Sequence, residues 1–322
     1  MNGFSNGSQS WMRPGDPVSP RPTQPHDLPL STPQTSPSSP PARPSDLIPR
    51  LLVAAAAIPL LFGVAFFAPN AALWLVLTSA AGIGGWEYFR MTLGAPLRGD
   101  AWLCVAGIVL VMSAGYWGLP ATVVHAIAAL VAVAALTACM RSSVETSAVA
   151  ARFGHLMAGF GYCALLFGAL LALVRGDDPL LHSPTQAGWL LWPMMIIWAG
   201  DTGAYFAGRA FGRHKLAPRL SPAKTVEGAI GGLFASLAGG FLGWAVLPLP
   251  QAIEAWHVVL FALPGAVIGQ VGDLAESLLK RSTGVKDSSR ILSGHGGMLD
   301  RVDALVFAAP YFALLKAILH FS

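Results

Sequence analysis

Apolar stretches about as long as a bilayer is thick recur along almost the whole of this chain. A helix needs ~20 mostly apolar residues to cross the hydrocarbon. The sequence offers nine such runs, at about 47–68, 71–89, 101–118, 121–140, 155–174, 187–208, 226–247, 257–279 and 301–320. Backbone amides in lipid must be satisfied within their own segment, so runs of this length are expected to be helices, and the Gly and Pro inside them are tolerated there. Composition agrees: 54% of residues are hydrophobic, 11% are charged and mean hydropathy is +0.58. A soluble domain carries roughly a quarter charged residues. The expected fold class is all-α, a polytopic helical membrane protein of about nine transmembrane helices.

Residues 1–45 differ. They are rich in Pro and Ser and nearly free of aliphatic side chains. Such a segment cannot bury enough apolar surface to fold alone, so a disordered cytoplasmic tail is expected. It does not read as a signal peptide, because the first apolar run follows it. The organisation expected is therefore a tail over 1–45, N-terminal transmembrane helices over 46–185, and a C-terminal transmembrane region over 186–322 that holds the polar motifs. Three cysteines, Cys104, Cys139 and Cys163, all lie in apolar runs without metal-ligand spacing, which argues against a disulfide framework or zinc site.

Alternating sides from a cytoplasmic N-terminus puts eighteen of the twenty Lys and Arg on the cytoplasmic side. Arg175 faces the other side, and Lys316 falls within the last run. An asymmetry of this size fits nine helices with the N-terminus inside and the C-terminus outside.

Two cytoplasmic loops carry mixed charge into helix ends. The first holds DTGAYFAGRAFG, Asp201 to Gly212, and SPAKTVEG, Ser221 to Gly228. The second is SLLKRSTGVKDSSRILSGHGGMLDRVD, Ser277 to Asp303. Asp273, Glu276 and Lys280 lie at i, i+3 and i+7, one face of a helix, and Asp300 and Asp303 are one turn apart at the start of the last run. Carboxylates at membrane depth usually line a polar cavity. Carboxylates on neighbouring helix ends, without His or Cys, suit a hard cation such as Mg²⁺. Lys280, Arg281, Lys286, Arg290 and Arg301 bracket them, and Arg209, Arg213, Lys215, Arg219 and Lys224 fill the other loop. The glycines of GHGG, Gly294 to Gly297, precede a helix N-terminus, where backbone amides and the helix dipole favour an anion. Together these features describe a polyphosphate site at the membrane surface.

The pattern S-L-L-K-R, K-D-S-S and G-H-G-G-x-x-D-R-x-D resembles the signature of the phosphatidate cytidylyltransferases, the CDP-diacylglycerol synthases. D-T-G-A-Y-F-x-G-R-x-F-G and S-P-x-K-T-x-E-G are similar to a second region of that family. The likeness covers about 190–305; upstream it reduces to hydrophobicity and the pair Trp86, Glu87. Ser293 stands where Pro or Gly is usual and Arg290 where Asn is common. The resemblance implies CMP transfer from CTP to phosphatidic acid, with Mg²⁺, releasing pyrophosphate, at a bacterial-type inner membrane. It implies Asp273 and Asp300 as metal ligands, with Asp303 and Asp201 in support. The implied catalytic set is Asp273, Lys280, Asp287, His295, Asp300 and Asp303. The implied substrate contacts are Arg209, Ser221, Lys224, Thr225, Glu227, Lys280, Arg281, Lys286 and Arg301. No nucleic-acid partner is expected, and a homodimer is compatible with the pattern.

An ion-coupled transporter would place its polar groups near the midplane and often show paired repeats; here the charge sits at one interface and no repeat is visible. A lipid or polyprenol kinase would share the nucleotide and Mg²⁺ but give a phosphorylated lipid. A CDP-alcohol phosphotransferase is disfavoured because its DGxxAR–G–D–D array is absent.

Overall fold

The computed structural model describes residues 59–141, 145–176, 183–289 and 296–321, and these are almost entirely helical. After a helical stretch over 59–67 (α1) come α2 Asn70–Leu93, α3 Gly99–Tyr116, α4 Ala121–Arg141, α5 Thr146–Val174 and α6 Pro184–Phe211. A short antiparallel hairpin follows, β1 Lys215–Ala217 and β2 Ser221–Thr225. Then come α7 Val226–Val246, α8 Ala255–Ser282 and α9 Leu299–Ile318. Among the described residues, α3, α4, α5, α7 and α8 are long and apolar enough to cross a bilayer. The tail over 1–45 and the start of the first apolar run lie outside the described residues.

Several helices run past the apolar stretches that announce them. α5 begins at Thr146 rather than near 155 because TSAVAARFGH continues the helix into more polar surroundings. There Arg152 makes two bonds to Asp100 at the start of α3, Nε to Oδ2 at 2.6 Å and Nη2 to Oδ1 at 2.7 Å. The pair fixes the starts of α3 and α5 at one end of the bundle. Both side chains are nearly buried, so deleting one partner strands a charge, at a cost of roughly 3–5 kcal/mol.

Helices α6 and α7 pack along their length through small residues, the usual way for membrane helices to approach closely. A Cβ at Gly239 would lie 2.6 Å from the Ala199 Cβ and 2.7 Å from the Met195 carbonyl oxygen. Trp192 Nε1 donates across the same interface to the Gly240 carbonyl at 2.8 Å. Nearby, Phe261 of α8 lies 4.9 Å from Trp192 and stacks on Phe312 of α9 at 6.1 Å, with ring planes 5° apart. Aromatic pairs of this kind add about 0.5–1.5 kcal/mol each beyond burial. Lys316, the cation inside the last apolar run, donates to the Leu173 carbonyl at 3.0 Å and lies over the Trp189 ring at 4.9 Å.

Helices from the two halves of the chain meet directly, α2 and α5 both touching α9. The start of α3 meets the end of α4 around one cavity and the start of α5 through Arg152, and the hairpin links the end of α6 to the start of α7.

The hairpin was not expected. KLAPRLSPAKT is short, polar and interrupted by Pro218 and Pro222, so it reads as loop. The strands pair Lys215 with Thr225 and Ala217 with Ser221, with Pro218, Arg219 and Leu220 as the turn. The hairpin carries Lys224 directly into the start of α7.

Candidate active site

Four carboxylates and a lysine project from the C-terminal part of α8 and the start of α9. Lys280 Nζ bridges Glu276 Oε2 at 2.9 Å and Asp300 Oδ1 at 2.6 Å. Glu276 is 1% exposed, and its other oxygen, Oε1, is buried without a hydrogen-bond donor. Asp303, one turn beyond Asp300, lies against Glu276. One turn before Glu276, Asp273 forms an ion pair with Lys224 of β2. The i, i+3, i+7 spacing read from the sequence thus becomes a continuous charged face.

Lys224 and Asp273 also line a cavity of about 390 Å³, shared with Asp201, Tyr205 and Arg209 of α6 and Gln270 of α8. Gln270 Nε2 donates to the Ala229 carbonyl of α7 at 3.1 Å, tying α8 to the cavity wall. Arg209 Nη1 donates to the Tyr205 hydroxyl at 3.1 Å. Five carboxylates, of Asp201, Asp273, Glu276, Asp300 and Asp303, thus stand in this region with two ammoniums, of Lys224 and Lys280. With the Arg209 guanidinium the carboxylates outnumber the cations five to three, and an oxygen-donor set of this kind fits a bound hard cation. As they stand, no three His, Cys, Asp or Glu side chains among the described residues converge on one point.

Behind this face lies a residue the sequence had flagged only as half of the Trp86, Glu87 pair. Glu87 is fully buried and accepts four hydrogen bonds. They come from Ser289 Oγ at 2.6 Å, Ser288 Oγ at 3.1 Å, Met298 N at 2.9 Å and Leu299 N at 2.9 Å. Asp300 is as fully engaged. Its Oδ2 accepts from Ser288 N and Ser288 Oγ, both at 2.9 Å, and from Gly297 N at 2.8 Å. Ser288 Oγ lies within reach of both carboxylates and holds one proton, so it bridges them. Gly296 has φ of +77°, the left-handed region that glycine enters without steric cost. At Gly297 a Cβ would sit 2.6 Å from Glu87 Oε1.

This changes the expected role of the glycine turn. The start of α9 does bind anions, but they are the protein's own: Gly297 N serves Asp300, and Met298 N and Leu299 N serve Glu87. Those three amides are not offered to a phosphate. The start of α7 is likewise closed, because Thr225 is its N-cap and accepts from Gly228 N at 3.1 Å. Glu227, also expected to contact substrate, accepts from Arg213 N at 3.0 Å and His214 Nδ1 at 2.6 Å, holding the bend between α6 and the hairpin.

The structure brings Asp201, Arg209, Lys224, Thr225 and Asp273 to the cavity and Lys280, Asp300 and Asp303 to the neighbouring charged face. Ser221 opens β2. Arg281 caps the end of α8, Nη1 donating to the Val285 carbonyl at 3.3 Å. Lys286, Asp287 and Arg301 are exposed on the same end. His295, Ser293 and Arg290 lie outside the described residues. A signal for Glu87 existed: a carboxylate within a long apolar run is the feature that drew attention to Asp201.

Comparison with known proteins gives this geometry a context. A model described as the cytidylyltransferase family matches residues 48–319. The chain is 42% identical over 230 residues to a protein of Brucella suis biovar 1 (strain 1330) named phosphatidate cytidylyltransferase, covering 71% of this chain and 76% of the relative. A Pseudomonas aeruginosa protein of the same name is 34% identical over 270 residues, 83% of this chain and 95% of its own. One from Haemophilus influenzae is 45% identical over 155 residues, 46% of this chain and 54% of the relative. The family match runs from before the first described helix to the end of α9 and takes in Glu87 and every member of the charged cluster, and the chain belongs to the cytidylyltransferase family.

Proposed function

We propose that this protein transfers CMP from CTP to phosphatidic acid, giving CDP-diacylglycerol and pyrophosphate. The observation that carries the reading is the acid–base cluster of Asp273, Glu276, Lys280, Asp300 and Asp303 beside the cavity that Lys224 and Arg209 line, within a chain of this family. An oxygen of the lipid phosphate attacks the α-phosphorus of CTP, and the bond from that phosphorus to the pyrophosphate oxygen breaks. The lipid supplies the nucleophile, so the protein needs none. Its task is to hold two anionic substrates together and to offset the charge on the leaving group.

Lys224 and Arg209 line the cavity and would contact phosphates there, and Lys280 would meet charge on its α9 side. Mg²⁺ fits the carboxylate surplus; Asp273 and Asp300 would hold it, with Asp303 and Asp201 in support. When bound it would neutralise triphosphate charge. Asp300 Oδ1 already accepts from Lys280, so the lysine and a cation would share that oxygen.

We further infer nine crossing helices with the N-terminus in the cytoplasm and the cluster facing the cytoplasm from a bacterial inner membrane. The eighteen-to-two division of Lys and Arg supports this orientation. The test is direct: purified protein in detergent with CTP, phosphatidic acid and Mg²⁺. Pyrophosphate release with label from the cytidine moiety of CTP entering the lipid is the expected result. Transfer of the γ-phosphate to lipid would overturn the reading in favour of a kinase.

A further inference from the structure

We propose that the hairpin between α6 and α7 docks on anionic phospholipid headgroups of the surrounding bilayer, through Arg213, Lys215 and Arg219. Between Asp201 and Glu227 the chain holds five Lys and Arg and no Asp or Glu. Two of the five belong to the cavity: Lys224 pairs with Asp273, and Arg209 lines the wall beside Tyr205. The other three are exposed. No carboxylate among the described residues forms an ion pair with them. The next acid in sequence, Glu227, is taken up by Arg213 N and His214 Nδ1.

The hairpin stands at headgroup depth. Phe206 and Phe211 of α6 are exposed, as are Val226, Ile230 and Phe234 of α7. Large apolar side chains open to the outside on both helices suit the hydrocarbon and its edge. This surface runs up to the hairpin from both sides, because Phe211 ends α6 and Val226 opens α7. From Lys215 to the turn at Pro218 an extended chain covers about 10 Å. The Debye length at physiological salt is ~8 Å. However the hairpin tilts, its cations stay close to the field of a charged bilayer surface.

The placement favours lipid over nucleotide. None of the three cations lines the candidate active-site cavity, where a triphosphate would sit. Cations directly beyond a membrane helix are drawn to anionic lipid, each by roughly fivefold, so three together favour docking on the order of 100-fold. Leu216 and Ala223 of the same hairpin do line the cavity. A docked hairpin therefore holds one cavity wall against the bilayer. That consequence for a lipid substrate rests on the proposed function; the docking itself does not.

The experiment uses the full chain in nanodiscs, with an environment-sensitive fluorophore on Pro218→Cys at the turn. The native cysteines are buried, so labelling is confined to the turn. Both leaflets of a disc carry the same lipid, so the result does not depend on orientation, and no CMP transfer is needed for the readout. Emission should shift to the blue when phosphatidylcholine discs are doped with phosphatidylglycerol. Salt at about 1 M, where the Debye length falls to ~3 Å, should reverse the shift. Arg213→Gln with Lys215→Gln and Arg219→Gln should abolish it, as a roughly 100-fold loss of docking requires. If that variant fails to insert, the salt series on the labelled parent decides alone. Identical emission in the two lipids, or a shift that survives high salt, overturns the docking. An equal shift on adding CTP to undoped discs, lost in the triple variant, assigns these cations to the nucleotide and overturns the lipid.

Discussion

Leu299 N, the first amide of α9, donates to Glu87 Oε2 at 2.9 Å across 212 residues of sequence. With Met298 N and the hydroxyls of Ser288 and Ser289, it makes Glu87 the tie between α2 and the residues that lead into α9. Ser288 and Gly297 in turn position Asp300, through Ser288 N, Ser288 Oγ and Gly297 N. Glu87 is too deeply buried to meet substrate and acts through the residues it holds.

Glu87→Gln should therefore reduce turnover roughly 10–100-fold, the usual effect of removing a residue that orients a metal ligand. The amide keeps the volume but turns an NH₂ towards groups that are themselves donors. Glu87→Ala strands three donors, Ser289 Oγ, Met298 N and Leu299 N, while Ser288 Oγ can still donate to Asp300; at about 1–3 kcal/mol each the variant should fail to accumulate. Initial rates over CTP and phosphatidic acid series, together with detergent-phase melting, separate the two effects. Wild-type turnover in Glu87→Gln would remove the positioning role.

Asp273→Asn and Asp300→Asn should each lower turnover at least ~100-fold, since either loses a charge expected to hold the cation. Their stabilities should differ. Asp273 is tied to Lys224 at the edge of a cavity, and that variant should melt near wild type. Asp300 is held by Lys280, Ser288 and Gly297, and that variant should melt distinctly lower. A chelator should stop pyrophosphate release, and added Mg²⁺ should restore it. Near-normal turnover in both variants takes these two carboxylates out of the cation site.

Helix positions were legible because a crossing segment must be apolar throughout its length. Where α5 runs on through Arg152, the same criterion stopped short, since a charge that finds Asp100 across the bundle looks like loop in one dimension. The spacing of Asp273, Glu276 and Lys280 displayed a charged face directly. The partners of that face were not visible, because nothing in the sequence states which helix ends meet. Glu87 shows this most clearly: its donors lie more than 200 residues away. The same gap led the amides before α9 to be read as open to phosphate, when a carboxylate from α2 occupies two of them.

Orientation can be checked at Ser282, exposed at the end of α8. The native cysteines Cys104, Cys139 and Cys163 are buried, so background labelling should be low. Ser282→Cys should react with an impermeant maleimide only after the membrane is opened to the cytoplasmic side. Reaction from outside intact cells contradicts the nine-helix, N-inside arrangement.

The Pro- and Ser-rich tail makes a separate prediction. Residues 1–45 precede the segment that the family match covers, which begins at residue 48. Their composition offers no apolar face to the helical bundle. Deleting 1–44 while retaining Arg50 should leave specific activity within about twofold, because a Pro- and Ser-rich segment so poor in aliphatic side chains has little apolar surface to contribute to the fold it leaves. Arg50 is kept because a cation ahead of the first apolar run helps hold that end inside. A tail that instead reaches the cluster would act on the nucleotide, since Arg13, Arg21 and Arg43 are the tail's cations and triphosphate is the most highly charged ligand proposed. Truncation would then shift the apparent CTP affinity several-fold with turnover little changed. Initial rates over a CTP series, measured on both chains in the same detergent, distinguish these outcomes, and a shift of that kind rejects the passive tail.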